Sequence, residues 1–334
     1  MGAKNQKENM LISIIIPTYN VAPYVGECLD SIAAQTYKGD VECILVDDCS
    51  TDNTRDVVAQ WLEGYQGKFL FRKLNLSKNG GLSNARNKGM EVCHGDWILF
   101  VDSDDAITPD CLNVMTQAQK SHPDADFIYC NTRNMGGKTQ KHGVLPAYTH
   151  NREWLLRQTM FSRGCIAPHA WNKLIRSSIL KQHDIKFIKG IIHEDVSFTC
   201  QLSQYVRGAC FCKEYTYLYR TNREGSIISS SPQKQDFQFK SRLTLTHFLL
   251  EHITEEYRSL QLCALLERIL NYIRITDIHV LMSHVPEIKD LEKQLLGELS
   301  GGIKALASLY FSFPLSLQKN IWANKILAKI TRNI

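Results

Sequence analysis

The chain has 334 residues, 44% of them apolar, 22% charged and 9% aromatic, the makeup of a globular protein with a large core and not of a disordered or fibrous chain. Its 39 Lys and Arg outnumber 34 Asp and Glu, but the excess is local: after Glu298 come Lys304, Lys319, Lys325, Lys329 and Arg332 and no acid, so the preceding body is electroneutral. This distribution argues against a nucleic-acid partner, whose binder spreads Lys and Arg over its folded surface to neutralise phosphates.

The first nine residues, MGAKNQKEN, read as a disordered polar segment lacking the apolar core of a signal peptide. From Leu11 to Val101, short β-rich runs alternate with helical stretches: LISIII, VAPYVGECLDSIAAQ, VECILV, TRDVVAQWL, KFLFRKL, LSNARNKGMEV and DWILFV. This alternation predicts an α/β fold, a mostly parallel sheet with helices on both faces. There follow a helix near Pro109, a strand over Asp126–Cys130, a polar glycine-rich loop over Gly136–Pro146, a helix in EDVSFTCQLSQYV and two short strands in ACFCKEYTYLYR. From about Gln233 to Leu296 the pattern turns helical, with turn chemistry only at His284–Pro286. The expected organisation is an α/β domain over residues 10–231 and a helical C-terminal region over 232–334.

Eleven cysteines are scattered singly, apart from Cys210 and Cys212, with no C-x-x-C spacing. They read as buried thiols of a cytoplasmic protein. The longest uncharged stretches, Asn9–Gly26 and Ala305–Gln318, are short for a transmembrane span and contain proline.

Ligands of an open parallel sheet bind at the carboxyl ends of its strands. That is where the chemistry-bearing residues fall: Pro17, Thr18, Tyr19 and Asn20; Asp47 and Asp48; Lys78, Asn79, Gly80 and Gly81; and Asp102, Ser103, Asp104 and Asp105. Carboxylates crowded as in Asp102–Asp105 repel one another, and a hard divalent cation, Mg²⁺ or Mn²⁺, relieves the repulsion. The alternative is an acidic turn capping the helix near Pro109.

SIIIPTYNVAPYVGECLDSI, VDDCSTDNT, NGGLSNARNKG and FVDSDD, in this order and spacing, resemble the family 2 glycosyltransferases, inverting enzymes of the Rossmann-like GT-A fold. The likeness covers roughly residues 10–226. It implies that Pro17, Thr18, Tyr19 and Asn20 line a nucleotide, with Asp47 beside them and Asp48 accepting a hydrogen bond from the base. Lys78, Asn79 and Gly80 would approach the donor, and Arg86 would face the diphosphate or pair with Asp102. Asp104 would hold the metal, and Asp102, with Ser103 between the two, would contact ribose or the metal shell. Asp52 and Thr54 read as helix-capping residues, and Cys49 stands where many members carry glycine.

The likeness further assigns Asp195 as the general base and Glu194 as a residue orienting the acceptor; the alternative is an acidic first turn complementing the helix dipole. Trp171, Lys173 and His193 would line the acceptor side and Arg220 the diphosphate, although core packing for Trp171 and Tyr217 explains the same pattern. The implied activity is metal-dependent transfer of a sugar from a nucleotide-diphosphate donor, UDP-linked, to a saccharide or lipid-linked saccharide, as in surface-polysaccharide assembly. The rival readings are a degenerate sugar-nucleotide-binding module and, further off, a D-x-D phosphatase.

The basic tail has two readings. Steps of about 100° along Gln318–Ile334 place Trp322, Ile326, Leu327, Ile330 and Ile334 opposite Lys325, Lys329 and Arg332. Such a helix either lies on the inner face of a membrane as a peripheral anchor or docks its apolar side on the enzyme.

Overall fold

The computed structural model describes residues 10–135, 145–161, 164–221 and 232–318. The polar N-terminal segment, residues 136–144 of the glycine-rich loop, the expected boundary at Ser231 and the basic helix after Gln318 lie outside the described residues. The chain forms two compact units. One comprises Met1–Arg152, His169–Lys189 and Tyr205–Gly225, and the other Glu153–Pro168, Gly190–Gln204 and Ser226–Ile334.

In the first unit the expected alternation is realised as β1 (Ile12–Thr18), α1 (Val25–Ala33), β2 (Val41–Asp47), α2 (Thr54–Gly64), β3 (Leu70–Asn75), α3 (Leu82–Val92) and β4 (Trp97–Phe100). Every residue of β1 and β2 is buried. Because side chains alternate across a strand, both faces of the sheet are covered there. In α1 the residues Val25, Cys28, Leu29 and Ile32 are the buried ones, one face of a helix at i, i+3, i+4 and i+7. The strand β3 is half-exposed along its length, as an edge strand carrying Arg72 and Lys73 would be.

The chain continues through β5 (Ala106–Ile107), α4 (Cys111–Ser121), β6 (Phe127–Asn134), β7 (Tyr148–Thr149), α5 (Arg152–Met160), β8 (Lys173–Arg176), α6 (Ser177–Gln182), α7 (Glu194–Tyr205) and β9 (Ala209–Tyr219). The nine strands make one sheet in the order β3-β2-β1-β4-β8-β6-β9-β5, with β7 on β9. From β3 to β4 the pairing is parallel; β8 then runs antiparallel to both β4 and β6, while β6 and β9 are parallel. The sheet is therefore mixed beyond β4. Short strands such as β8 carry too few residues to show a period of two in the sequence. The expected two strands of ACFCKEYTYLYR are one, because Lys213 and Glu214 interrupt the apolar pattern at register shifts opposite Asn131 without ending the pairing.

The second unit gathers α5 and α7, apart from their end residues Arg152 and Tyr205, with α8 (Pro232–Glu251), α9 (Arg258–Ile275), α10 (Ile278–Ser283), α11 (Val285–Glu298), α12 (Gly301–Ser312) and α13 (Leu315–Gln318). Twelve of the eighteen residues of α9 are buried, so it is the central helix of this unit. The helical run also breaks where the sequence showed little signal: before α9, and at Asp277, whose carboxylate accepts the His279 N–H and caps α10. No described helix is long and apolar enough to cross a membrane.

Candidate active site

Strand β1 lies between β2 and β4, so the chain leaves it towards opposite sides of the sheet. The three parallel strands deliver their carboxyl ends to one crevice at this switch point. Pro17 and Thr18 are the last, buried residues of β1, and they do not follow the strand as the sequence suggested. Thr18 Oγ1 donates to the Val46 carbonyl at 3.4 Å. Tyr19, the next residue, is 44% exposed. It is an open aromatic face at the crevice and not a core ring.

Asn20, with φ +51°, ties two loops together. Its Oδ1 accepts the N–H groups of Thr51 at 2.8 Å and Asp52 at 3.3 Å, and its own N–H donates to Ser50 Oγ at 3.1 Å. Asp52 in turn accepts the Thr54 N–H at 2.9 Å as α2 begins, although the N-cap position itself is Asn53, whose side chain makes no capping bond. Cys49 has φ +63°, a left-handed conformation that explains why glycine suits this position.

The two aspartates after β2 are engaged by the chain itself. Asp47 accepts Arg55 Nε at 2.6 Å and the Ser50 N–H at 3.1 Å. Asp48 is 2% exposed. Its oxygens accept the N–H groups of Gly80 at 2.9 Å and Gly81 at 2.7 Å. Burial raises its carboxyl above the ordinary range, opposed by these two donors and reinforced by Asp47. Gly81, at φ +82°, caps α3, so the anion held at that helix start is the Asp48 carboxylate. Asn79 Nδ2 donates to the Asp48 carbonyl at 3.2 Å, while Lys78 is exposed to solvent.

The aspartates after β4 differ. Asp105, 1% exposed, accepts Tyr217 Oη–H at 2.8 Å and the Arg220 N–H at 2.7 Å. Tyr217 Oη also accepts the Asp102 N–H at 3.1 Å, so β9 holds the loop at both ends. Burial, then the charges of Asp102 and Asp104, push the Asp105 carboxyl up to about 8. Ser103 is buried, whereas Asp102 and Asp104 stay partly exposed. Arg86, 1% exposed, pairs with Asp102 at 2.8 Å and stacks on the Phe187 ring at 5.2 Å, favouring the structural of its two readings. Arg220 donates Nε to the Asp104 carbonyl at 2.8 Å, pairs with Glu27 and covers the Tyr24 ring at 5.1 Å.

This loop fits a divalent cation. Among the described residues no three acidic, His or Cys side chains are placed to hold a metal alone. Mg²⁺ and ions like it need only one or two carboxylates when ligand phosphates and water complete the shell. Asp102, which also pairs with Arg86, and Asp104 are the two partly exposed carboxylates of this loop that would be that pair.

Trp171 lies in a ring stack, 3.4 Å from His169 and 4.3 Å from Tyr217 between centroids, which is the core-packing reading. Lys173 is fully buried, over the Tyr129 ring at 4.7 Å and donating to the His169 carbonyl, so its ammonium is engaged inside the first unit. In the second unit, Glu194 and Asp195 open α7, Glu194 buried and Asp195 half-exposed, and His193 precedes them at φ +65°. The sequence reading missed Glu27 and Tyr24 altogether, and it placed Asp105 in the acidic strand end and Tyr217 in the core without their supporting contacts to each other. Only the extra aspartate in the run DSDD gave any signal, since Tyr217 and Arg220, which hold that loop, lie more than a hundred residues away.

A family described as Glycosyl transferase family 2 matches residues 13–184. The chain is 29% identical over 269 residues to the poly(ribitol-phosphate) beta-N-acetylglucosaminyltransferase TarS of Staphylococcus aureus, a match covering 79% of this chain and 45% of TarS. It thus spans less than half of that relative. With the glycosyltransferase GlyG of Streptococcus pneumoniae it shares 36% identity over 232 residues, 65% of this chain and 73% of GlyG. The structure of S. aureus TarS 1–349 in complex with UDP-GlcNAc matches at a TM-score of 0.68 and 21% identity, covering 97% of this chain and 92% of that one. The mannosyltransferase PcManGT of Pyrobaculum calidifontis, in complex with GDP-Man and Mn²⁺, matches at 0.58 and 15% identity, covering 98% and 88%. The structural matches establish the fold.

Proposed function

The chain belongs to glycosyl transferase family 2 and is a glycosyltransferase, and we propose that it is an inverting, metal-dependent enzyme moving a sugar from a UDP-linked donor to a saccharide or lipid-linked saccharide hydroxyl. The observation that carries this reading is the loop after β4, where Asp102 and Asp104 remain partly exposed while Asp105, Tyr217 and Arg220 hold their backbone. A UDP-sugar bound by TarS and a Mn²⁺ complex of PcManGT support the donor and metal classes.

Asp104 and Asp102 would hold Mg²⁺ or Mn²⁺, which neutralises the diphosphate and makes it a better leaving group. The exposed Tyr19 face stacks on the base. Asp48 accepts a base N–H on lone pairs that the Gly80 and Gly81 contacts leave, since a carboxylate has about four acceptor positions. Arg220 exchanges Glu27 for donor phosphate oxygens. Asp195 would serve as the general base for the acceptor hydroxyl, and Glu194 would orient the acceptor. The activity belongs on the cytoplasmic side, in surface-polysaccharide assembly.

A thermal-shift series of nucleotide sugars, each with and without Mn²⁺, tests the donor class. A UDP-sugar should raise the unfolding temperature only with the metal, because a ligand of the native state stabilises by mass action. Equal shifts with EDTA present would sink the metal assignment.

A further inference from the structure

Ten large apolar side chains are exposed in the described residues, and four of them, Leu306, Leu309, Phe313 and Leu317, fall within α12, α13 and their connection. Single exposed apolar residues are ordinary, but this concentration is not. On α12 the residues Ala307, Tyr310 and Phe311 are buried against the second unit, while Leu306 and Leu309 are not. Between Leu299 and Gln318 the only charged residue is Lys304. The outer surface here thus lacks the charges that normally keep an exposed helix in water.

Beside this face runs an open groove of ≈ 340 Å³ between α11 and α12, lined by Lys293, Leu296, Ser308, Phe311 and Ser312 and by the Lys289–Glu292 pair. Lys293 and Ser308 offer a positive charge and a hydroxyl at the margin of the apolar stripe, while the Ser312 hydroxyl donates to the Leu309 carbonyl at 2.6 Å. The chain then continues for sixteen residues bearing Lys319, Lys325, Lys329 and Arg332 and no acid.

We infer that the face formed by Leu306, Leu309, Phe313 and Leu317 lies on an anionic lipid surface, with phosphate headgroups in the Lys293–Ser308 groove. The charge pattern selects this occupant. A second copy of the chain would bring an equally cationic segment against the first, whereas an anionic bilayer complements it and accepts the leucines into its interface. No described helix is suited to crossing the bilayer, so the contact is interfacial. The inference deepens the reading of a lipid-linked acceptor and rests on it for its purpose, since the surface that carries the acceptor would also hold the enzyme.

The test is co-sedimentation of the full chain with vesicles of phosphatidylcholine alone or mixed with phosphatidylglycerol, in parallel with Leu309→Ser/Leu317→Ser and Lys293→Gln variants. The wild type should bind the anionic vesicles and release with added salt. The double variant should bind about tenfold more weakly, and Lys293→Gln should show a shallower salt dependence. UDP-sugar binding in solution, measured on the same proteins, should not change, so loss of vesicle binding and failure of the transferase reading are told apart. No vesicle binding, or binding unaffected by the double variant, overturns the inference. Self-association abolished by the double variant without vesicle binding overturns it too, and assigns the face to a second copy.

Discussion

Two acidic strand ends face the same crevice and have opposite states. After β2, Asp47 is taken up by Arg55 and Ser50, and Asp48 by the amides of Gly80 and Gly81. After β4, Asp105 is consumed in the same way by Tyr217 and Arg220, whereas Asp102, paired with Arg86, and Asp104 stay partly exposed. The difference teaches that a carboxylate's use depends on how many donors the fold has already supplied. A saturated carboxylate shapes a loop; one with spare acceptor positions near a crowded neighbour attracts a cation.

The sharpest way to break this comparison is to remove the carboxylates assigned to chemistry. Asp104→Ala should lower transfer about a thousandfold and weaken Mn²⁺-dependent UDP binding, measured by calorimetry. Asp195→Asn should lower transfer by about 10²–10⁴ while leaving that binding unchanged. Full activity in Asp195→Asn would remove the base assignment.

Asp126 is the saturated extreme and should behave as structure alone. It is fully buried, with Arg207 donating its N–H at 2.7 Å and Nη2 at 2.7 Å, and Arg176 donating Nε at 2.8 Å. Burial pushes its carboxyl up, but the Arg207 and Arg176 donors outweigh that and leave it below the ordinary 3.8. Asp126→Ala should cost about 3 kcal/mol in denaturant unfolding. Because the folded value is depressed, the native contribution is complete above pH 3.8 and is lost as pH falls through the folded value. The variant should therefore show a flatter stability profile below that pH; an unchanged acid limb would remove the assignment.

Tyr217→Phe tests the strut beneath the metal loop. It leaves the ring stack on Trp171 but removes the hydroxyl joining Asp105 to the Asp102 N–H. A loss of about 1–2 kcal/mol is expected, together with weaker Mn²⁺ binding. Loss of stability with unchanged Mn²⁺ titration would make Tyr217 a core residue only. The smallest effect belongs to the β2 side: Cys49→Gly should relieve the φ of +63° and stabilise the fold by up to ~1 kcal/mol. A destabilised variant would show that packing of the thiol outweighs the backbone.

Much of the fold is legible in the amino-acid sequence. The runs LISIII and VECILV become β1 and β2, and LSNARNKGMEV becomes α3 over the same residues, because apolar periodicity and a glycine cap are local signals. The acidic strand ends are legible for the same reason, since strand followed by aspartates is a pattern within ten residues. The strand β8 and the single bulged β9 were not, because short or interrupted strands take their pairing from neighbours distant in sequence.

What the sequence alone determined was therefore the order of elements, the placing of four polar strand ends at one edge of a sheet, and the family they resemble. Only the tertiary structure decided which of those groups are buried and saturated: Asp105 meets Tyr217 and Arg220 across 112 and 115 positions, and Asp48 meets Gly80 across 32. The physical reason is that periodicity reports which side of an element is buried, whereas hydrogen-bond saturation depends on donors brought together by folding.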